Sequence, residues 1–324
     1  MGNINVPKTL LECSRYFAGD PAIAVEFLAA IRWKDGVVCQ HCGSKKHSYL
    51  KTRRIWKCRE CKKQFSVKAG TVFEDSPIPL DKWMMVVWLV VNCKNGISSW
   101  EIHRDLKVTQ KTAWFMLHRV RLALKSESGF LLGGEGTEVE VDESYVGGKL
   151  NNMHKDRRAK LGLAMRGTAS KTAVQGMLDR NLREVRATVV PDTKRETLQN
   201  LVLNNIHHGS TVYSDESVTY DKLSENFVHE VVNHSEEYVR GRVHTNGLEN
   251  FWSLMKRGLK GTYVCVEPFH LERYVDEQVF RYNNRATKDN PLNDSDRFVL
   301  ALSQIAGKRL TYKELIGKDN ARPF

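Results

Sequence analysis

The spacing of apolar and polar residues changes along the chain and predicts helical regions followed by a mixed region. Before residue 125 the spacing predicts one helix from Ser98 to Leu106 and another from Thr109 to about Leu124. From Glu138 to Glu143 acids alternate with valine, which predicts a half-buried strand with its carboxylates on one side. We expect two more strands, a helix, a strand, a short helix, a strand and a final helix to follow.

The final helix of that series lies within the stretch from Arg242 to Gly261 and is amphipathic. Its apolar face is predicted to consist of Leu248, Phe251, Trp252, Met255 and Leu259. Glu249 and Lys256 fall on the flank of that face, where they form either an ordinary surface ion pair or part of a site. Trp252 is assigned to the core because it occupies the centre of the apolar stripe.

Composition breaks divide the chain. Residues 69–79 contain two prolines and are interpreted as a linker, and residues 126–137 are rich in glycine and mark a boundary. We therefore predict a multidomain α/β protein with five parts: an N-terminal helical segment (1–36), a metal-binding ribbon (37–68), a helical segment (80–125), a mixed-sheet domain (135–288) and a C-terminal helical tail (289–324).

Four of the seven cysteines form two Cys-x-x-Cys pairs, Cys39 with Cys42 and Cys58 with Cys61. Two such knuckles with fifteen residues between them supply four thiolates for a tetrahedral Zn²⁺ ion, and short ribbon strands would lie between them. We therefore predict a structural zinc ribbon rather than a disulfide framework. The other three cysteines are expected to be inert small apolar residues: Cys13, Cys93 and Cys265.

The net charge of +12 and the pI near 9.3 indicate a polyanionic partner. Residues 45–68 concentrate this charge, with ten lysines and arginines against one acid, Glu60. These cations either contact phosphates or only solubilise a small module whose rings, Tyr49, Trp56 and Phe65, form its core. Double-stranded DNA is the expected partner.

A membrane is the weaker alternative as a partner. The longest apolar run, Trp83 to Val91, is far shorter than the roughly 18 residues that a spanning helix needs. The N-terminus also lacks the charged start, apolar core and small-residue cleavage site of an export signal. We therefore expect a cytoplasmic, nucleoid-associated protein without membrane contact.

The two helices between Ser98 and Leu124 are joined by a short turn, and Thr109 is placed to cap the second helix. This pattern is typical of a helix-turn-helix, whose second helix enters a major groove, although a simple helical hairpin shares it. Five polar residues are expected on the exposed face of the second helix: Gln110, Lys111, His118, Arg119 and Arg121. DNA contact is assigned to Arg119 and Arg121.

Three acids are prominent by position: Asp142 at the end of the first strand, Asp215 at the end of the fourth strand, and Glu249 on the final helix. Strand ends hold carboxylates rigidly, and Mg²⁺ in phosphodiester chemistry is held by few carboxylates plus phosphate oxygens. Asp215 could instead cap the helix that follows it. Three other acids of the first strand compete with Asp142 for the role: Glu138, Glu140 and Glu143.

Three runs of sequence carry a family resemblance: VDESYVGGK (141–149), YSDE (213–216) and HTNGLENFWSLMKRG (244–258). With the ribbon, they make nearly the whole chain resemble DDE-type insertion-sequence transposases that have an N-terminal zinc ribbon, the ISXO-like group. The resemblance implies an RNase H-like catalytic domain and dependence on Mg²⁺ or Mn²⁺, with two ions. It also implies transfer of a 3′-hydroxyl from the end of the element to target DNA.

By position, the resemblance makes Asp142 and Asp215 the two metal-binding aspartates and Glu249 the third acid, with Lys256 contacting DNA near the cut. Glu249 is preferred to its neighbours Asn246 and Asn250 because an anion holds a divalent cation better than an amide does. DNA contact is also assigned to two further residues, Arg257 and Lys149. His244 and Asn246, just before the helix, are expected to cap it and support the active site.

The predicted protein is therefore a prokaryotic transposase that binds terminal inverted repeats as a homo-oligomer, cleaves the DNA and joins the 3′ ends to a target. Two alternatives remain. One is a zinc-dependent DNA-binding regulator with an inactive RNase H-like domain. The other is an RNase H-like structure-selective nuclease, which would hydrolyse DNA without joining ends.

Overall fold

The computed structural model describes residues 5–126, 129–148, 156, 171–215, 220, 223–232, 242–288 and 290–318. Contacts group the chain into two compact units, one of Met1–Lys125 with Asn284–Phe324 and the other of Ser126–Asn283. The five-part division therefore stays a prediction. Among the described residues, no helix is long and apolar enough to cross a bilayer.

The described helices are, in chain order, α1 (Leu10–Ala18), α2 (Pro21–Arg32), α3 (Leu80–Asn92), α4 (Ser99–Leu106), α5 (Gln110–Leu124), α6 (Arg195–Asn205), α7 (Asn246–Gly258), α8 (Leu271–Asn283), α9 (Asp294–Ser303) and α10 (Tyr312–Leu315). The strands are β1 (His47–Leu50), β2 (Ile55–Cys58), β3 (Gln64–Phe65), β4 (Glu138–Val146), β5 (Thr172–Asp179), β6 (Glu184–Val190), β7 (Thr211–Asp215) and β8 (Val228–Val232). The predicted order of strands and helices in the mixed-sheet domain is confirmed, with a short 3₁₀ helix, Leu223–Glu225, between β7 and β8.

The ribbon of the first unit consists of β1, β2 and β3 in an antiparallel sheet. Trp56 on β2 is paired with Tyr49 on β1 and with Phe65 on β3. Trp33, which follows α2, packs edge-on against Trp56 with ring centroids 5.0 Å apart. The interpretation of these rings as a miniature core is therefore confirmed.

The helical hairpin of the first unit has the predicted turn and cap. Lys107 adopts a left-handed conformation with φ 48°, and the Thr109 side chain accepts a hydrogen bond from the backbone N–H of Thr112. The predicted exposure of the second half of α5 is wrong, because α5 packs against α3, α9 and α10. His118, Arg119 and Arg121 are all buried.

Arg119 shows why a cation is tolerated there. Its Nε donates to the carbonyl of Leu310 at 3.1 Å, and its guanidinium lies 4.6 Å from the centroid of the Phe115 ring. These contacts compensate a buried charge that would otherwise be costly. Arg119 and Arg121 are packing residues in this unit, so their predicted contact with DNA is wrong.

Residues 69–79 do not form an open linker. Val72 and Phe73 are buried, and the N–H of Val72 donates to the carbonyl of Ile305 at 3.1 Å. Phe73 also contacts Trp83, with ring centroids 4.8 Å apart. The stretch belongs to the core of the first unit, because its apolar residues pack in spite of the two prolines.

The second unit is built on a mixed sheet with the order β6-β5-β4-β7-β8. β4, β7 and β8 are parallel to one another, whereas β5 is antiparallel to both β4 and β6. Helix α6 packs on one face of the sheet, and α7 and α8 pack on the opposite face. The predicted α/β class is therefore confirmed, with a small N-terminal ribbon and a separate mixed-sheet domain.

Two glycines let α7 lie close to the sheet. A Cβ atom at Gly176 of β5 would lie 2.7 Å from the Trp252 ring and 3.1 Å from Leu248, and a Cβ atom at Gly247 would collide with Leu178. Cβ contacts below 3.0 Å are essentially never seen, so a larger residue at either position would require Trp252 or Leu178 to shift. The helix that carries Glu249 is therefore seated directly over β4 and β5.

Candidate active site

Asp142 and Asp215 lie side by side on neighbouring parallel strands. The register of β4 and β7 pairs Glu140 with Tyr213, so two residues further on Asp142 meets Asp215, the last residue of β7. Adjacent strands are about 4.8 Å apart, so the two carboxylates are neighbours. The predicted position of Asp142 at the end of its strand is wrong, because β4 continues to Val146. Both residues are half-buried.

Asp142 lies in an environment that is unfavourable for its negative charge. Burial is the largest cause that raises the pKa of Asp142 to about 6, and the charge of Asp215 is the next. Two hydrogen bonds oppose that rise: the Trp252 Nε1–H donates to Oδ2 at 2.8 Å, and the Glu143 N–H donates to Oδ1 at 2.7 Å. Glu249 adds a further negative charge nearby.

Helix α7 presents three residues on the flank that faces Asp142, because Glu249, Trp252 and Lys256 are spaced by three and four positions. Glu249 is exposed, and its charge contributes to the raised pKa of Asp142. Burial lowers the pKa of Lys256, and the charge of Asp142 opposes that shift. An acid, a hydrogen-bond donor and a cation therefore surround one carboxylate. Arg257, the next residue, is exposed.

The competing acids of β4 are engaged elsewhere. Arg180 donates to Glu140 at 2.7 Å and to Glu138 at 3.3 Å. Burial, followed by the charges of Asp142 and Asp215, raises the pKa of Glu143 to about 8, so this side chain is largely protonated at neutral pH. The ion pairs with Arg180 favour Asp142 over Glu138 and Glu140 as a metal ligand.

The expected caps of α7 are wrong. Thr245, and neither His244 nor Asn246, occupies the N-cap position, and its hydroxyl donates to Asp215 Oδ1 at 3.4 Å. His244 Nδ1 accepts a hydrogen bond from Arg180 at 2.8 Å, whereas Asn246 is exposed in the first turn. His244 therefore lies in the network around Arg180, and Thr245 lies closer to the acids than either predicted residue.

Sequence reasoning missed several residues that support the site. Trp252 was predicted to be in the core, which is confirmed by its 5% exposure, but its hydrogen bond to Asp142 was not foreseen. The sequence did contain a signal for Gly176, because an isolated glycine within a predicted strand indicates that another element approaches closely. No comparable signal marked Arg180, whose partners lie far away in sequence. Lys149 lies outside the described residues.

The four ribbon cysteines form a compact cluster. Cys39 Sγ lies 3.7 Å from Cys61 Sγ, Cys42 Sγ lies 3.6 Å from Cys58 Sγ, and all four sulfurs lie within 4.8 Å of one another. Tetrahedral Zn²⁺ with Zn–S bonds of about 2.3 Å places its sulfurs about 3.8 Å apart, so the cluster fits this ion. In the described part of the chain, no other group of three or more His, Cys, Asp or Glu side chains is placed closely enough to hold a metal ion by itself.

The three acids are therefore neighbours that do not by themselves form a complete ligand set around one ion: Asp142, Asp215 and Glu249. Their oxygens are the hard ligands that Mg²⁺ and Mn²⁺ prefer. A Mg²⁺ site typically keeps several waters and is completed by phosphate oxygens of the substrate. The open arrangement of the three carboxylates fits that kind of site.

Two segments of the chain match known protein families. Residues 20–64 match a transposase zinc-ribbon domain, and residues 131–283 match an ISXO2-like transposase domain. An uncharacterized protein in the transposable element ISH50 of Halobacterium salinarum is 30% identical over 247 residues, which span 73% of this chain and 82% of that protein. The chain belongs to the ISXO2-like transposase family.

A second relative matches a shorter part of this chain, and a solved structure resembles it weakly. An uncharacterized transposase-like protein of Haemophilus influenzae is 32% identical over 106 residues, which span 32% of this chain and 85% of that protein. A chain of a simian T-cell lymphotropic virus intasome, in complex with PP2A regulatory subunit B56 gamma, aligns at a TM-score of 0.30 and 10% identity over 61% of this chain and 69% of that chain. A score this low carries no argument. The family match and the cysteine cluster together support structural Zn²⁺ in the ribbon.

Proposed function

We propose that this transposase binds the terminal inverted repeats of its own insertion sequence, cleaves the DNA there to a 3′-hydroxyl, and joins that end to target DNA. Asp142, Asp215 and Glu249 would hold Mg²⁺ or Mn²⁺, with two ions in the complete site. The observation that carries the proposal is the placement of Asp142 beside Asp215, where burial and the charge of Asp215 raise the pKa of Asp142.

Adjacent half-buried carboxylates repel each other, and a divalent cation between them and a phosphate relieves that repulsion. Bound ions would activate the attacking oxygen and stabilise the leaving oxygen of an in-line displacement. Trp252 holds one oxygen of Asp142 by a hydrogen bond, and Thr245 does the same for Asp215. Lys256 supplies a cation beside Asp142 for a phosphate near the cut.

The ribbon offers the larger surface for DNA. All of its lysines and arginines from Lys45 to Lys63 are exposed, and Lys68 is half-buried. Each cation that neutralises a phosphate releases a counterion, so we expect affinity for the element ends to fall steeply with salt.

Joining two ends to one target requires two active sites, and we therefore expect a homo-oligomer on DNA.

The decisive experiment uses the purified full-length protein and a duplex that contains one end of the element. Wild type should cleave the duplex and join it to target DNA only when Mg²⁺ or Mn²⁺ is added. Asp142→Asn and Asp215→Asn should each lower the cleavage rate by about 10³-fold or more, because each removes a ligand charge. Glu184→Gln is the matched control, since Glu184 pairs with Arg186 on β6.

Binding of the duplex by the aspartate variants should equal or exceed that of wild type, because each substitution removes a negative charge near phosphates. A wild type that binds ends but never cuts them would favour the regulator alternative. Hydrolysis without joined products would favour the structure-selective nuclease. Normal joining by Asp142→Asn would exclude Asp142 from the site.

A further inference from the structure

Glu140 is a buried carboxylate that the proposed chemistry does not use. It lies two residues before Asp142 on the same face of β4, and it is 1% exposed. Its Oε1 accepts from Arg180 Nε at 2.7 Å, and its Oε2 accepts from the backbone N–H of Leu248 at 2.9 Å. Burying a charge is costly unless it is paired, so these contacts indicate a specific role.

The bond to Leu248 replaces the missing cap of α7. The first N–H groups of a helix have no partner within the helix and are usually satisfied by the side chain at the N-cap. The Thr245 side chain makes no such bond, because it points to Asp215 instead. Glu140 therefore caps α7 from the neighbouring strand, and its charge also suits the positive end of the helix dipole.

Arg180 connects the Glu140 carboxylate to the segment that precedes α7. It follows β5, in a turn where the Asp179 side chain accepts from the N–H groups of Asn181 and Leu182 at 2.8 Å each. The guanidinium donates to the Arg242 carbonyl at 2.7 Å and to His244 Nδ1 at 2.8 Å. One side chain therefore links β4 to the segment before α7.

We propose that Glu140 and Arg180 are positioning residues that fix the first turn of α7, so that Glu249 lies against Asp142 and Asp215. The inference rests on the proposed function of Glu249 as a metal ligand. Glu249 directly follows Leu248, and its own N–H donates to the Thr245 carbonyl at 3.0 Å. Without the Glu140 cap this turn frays, and the third carboxylate is held less precisely.

The test compares Glu140→Gln with the control Glu184→Gln. Single-turnover cleavage of a prebound end duplex is measured against Mg²⁺ concentration, and duplex affinity is measured without metal. Loss of a group that orients a metal ligand typically costs about 10- to 100-fold in metal affinity or activity. Glu140→Gln should therefore raise the Mg²⁺ midpoint by about 10-fold and lower the rate, with duplex affinity unchanged, since the cap acts on metal binding. The control should match wild type.

Glu140→Gln also leaves the charge of Arg180 without its buried partner, so its melting temperature must be measured. If that variant is unfolded at the assay temperature, the double variant Glu140→Leu with Arg180→Leu takes its place, because it removes both charges and the acceptor of the Leu248 N–H. It should fold and show the same raised Mg²⁺ midpoint. A folded variant with the wild-type midpoint, or with a slower rate at an unchanged midpoint, would overturn the inference.

Amide hydrogen exchange over residues 246–250 gives a readout that does not need activity. Exchange should be faster in Glu140→Leu, which leaves the Leu248 N–H without a side-chain acceptor, than in Glu184→Leu. Equal exchange would overturn the inference even if the wild type did not cleave DNA. Wild type that never cleaves with Mg²⁺ or Mn²⁺ would instead refute the proposed function, so the two failures are distinguishable.

Discussion

The zinc ribbon and the proposed carboxylate site both gather anionic side chains, but they assemble them in different ways. The four cysteines come from two short knuckles on one small ribbon, and spacing along the chain already places them as pairs. The carboxylates come from β4, β7 and α7, and only sheet register and helix packing bring them together. A ligand set built locally is visible in sequence, whereas one built by packing depends on residues that are not ligands.

The largest expected effect is a loss of bound zinc from the ribbon, whose ligands are close together in the sequence. Cys58→Ser should reduce bound zinc from about one ion per chain to a small fraction and unfold the ribbon, because structural zinc contributes about 10 kcal/mol or more to folding of such modules. Zinc content by mass spectrometry and affinity for end duplex check this. Cys265→Ser, at an exposed cysteine outside the ribbon, is the control. Unchanged zinc content in Cys58→Ser would exclude the four-cysteine site.

The next effect tests whether the carboxylate site depends on packing. Gly176→Ala places a Cβ atom 2.7 Å from the Trp252 ring, so α7 or the indole must shift. We expect the free energy of unfolding to fall by about 2 kcal/mol, the usual cost of overpacking a core. Gly261→Ala is the matched control, since no atom lies within 4 Å of the added Cβ. Equal denaturant midpoints for the two variants would show that α7 is not seated so tightly.

A smaller effect concerns the pH dependence of stability. Burial raises the pKa of Glu143 from an ordinary value near 4.5 to about 8, so the folded state retains a proton that the unfolded chain releases. That stabilisation is fully present below about pH 4.5 and is lost as pH rises through about 8. Glu143→Gln cannot ionise and should gain about 2 kcal/mol relative to wild type between pH 5 and pH 6.5.

Urea unfolding at both pH values measures this difference, with Glu184→Gln as the variant that should track wild type. A constant difference between Glu143→Gln and wild type would contradict the raised pKa. The ribbon should show no such dependence on Glu143, because this acid belongs to the second unit.

The smallest effect tests the hydrogen bond at Asp142. Trp252→Phe keeps an aromatic ring but removes the N–H that lowers the pKa of Asp142, so that pKa should rise. We expect single-turnover cleavage at pH 7 to fall by about 10-fold, equivalent to about 1.4 kcal/mol, and to recover as pH increases. Trp100→Phe removes an exposed indole from α4 and should leave the profile unchanged. An identical pH profile for Trp252→Phe would mean that the indole only packs.

Much of the fold followed from local patterns. Alternation of acid and valine predicted β4, and the turn that begins at Asp179 predicted the β5–β6 hairpin. Thr109 predicted the start of α5. The patterns were misleading where polar residues are buried. Arg119 and Arg121 occupy positions that a helical wheel exposes, but α3, α9 and α10 cover that side of α5. The two prolines likewise suggested a linker where Phe73 is in the core.

The acids of β4 show most clearly what periodicity in the sequence cannot predict. Glu138, Glu140 and Asp142 share one face of the strand, so periodicity alone treats them as equal. The structure separates them because Arg180 pairs with the first two and Trp252 donates to the third. These partners come from other elements, and no spacing rule connects them to β4.

By itself, the sequence determined the zinc ribbon, the order of strands and helices, the basic character and the family resemblance, because each depends on neighbours in the chain or on composition. Only the tertiary structure decided which carboxylates meet, which arginines are buried, and that Glu140 caps α7. Those outcomes depend on desolvation and on hydrogen bonds between distant elements, and these exist only after the sheet and its helices have packed.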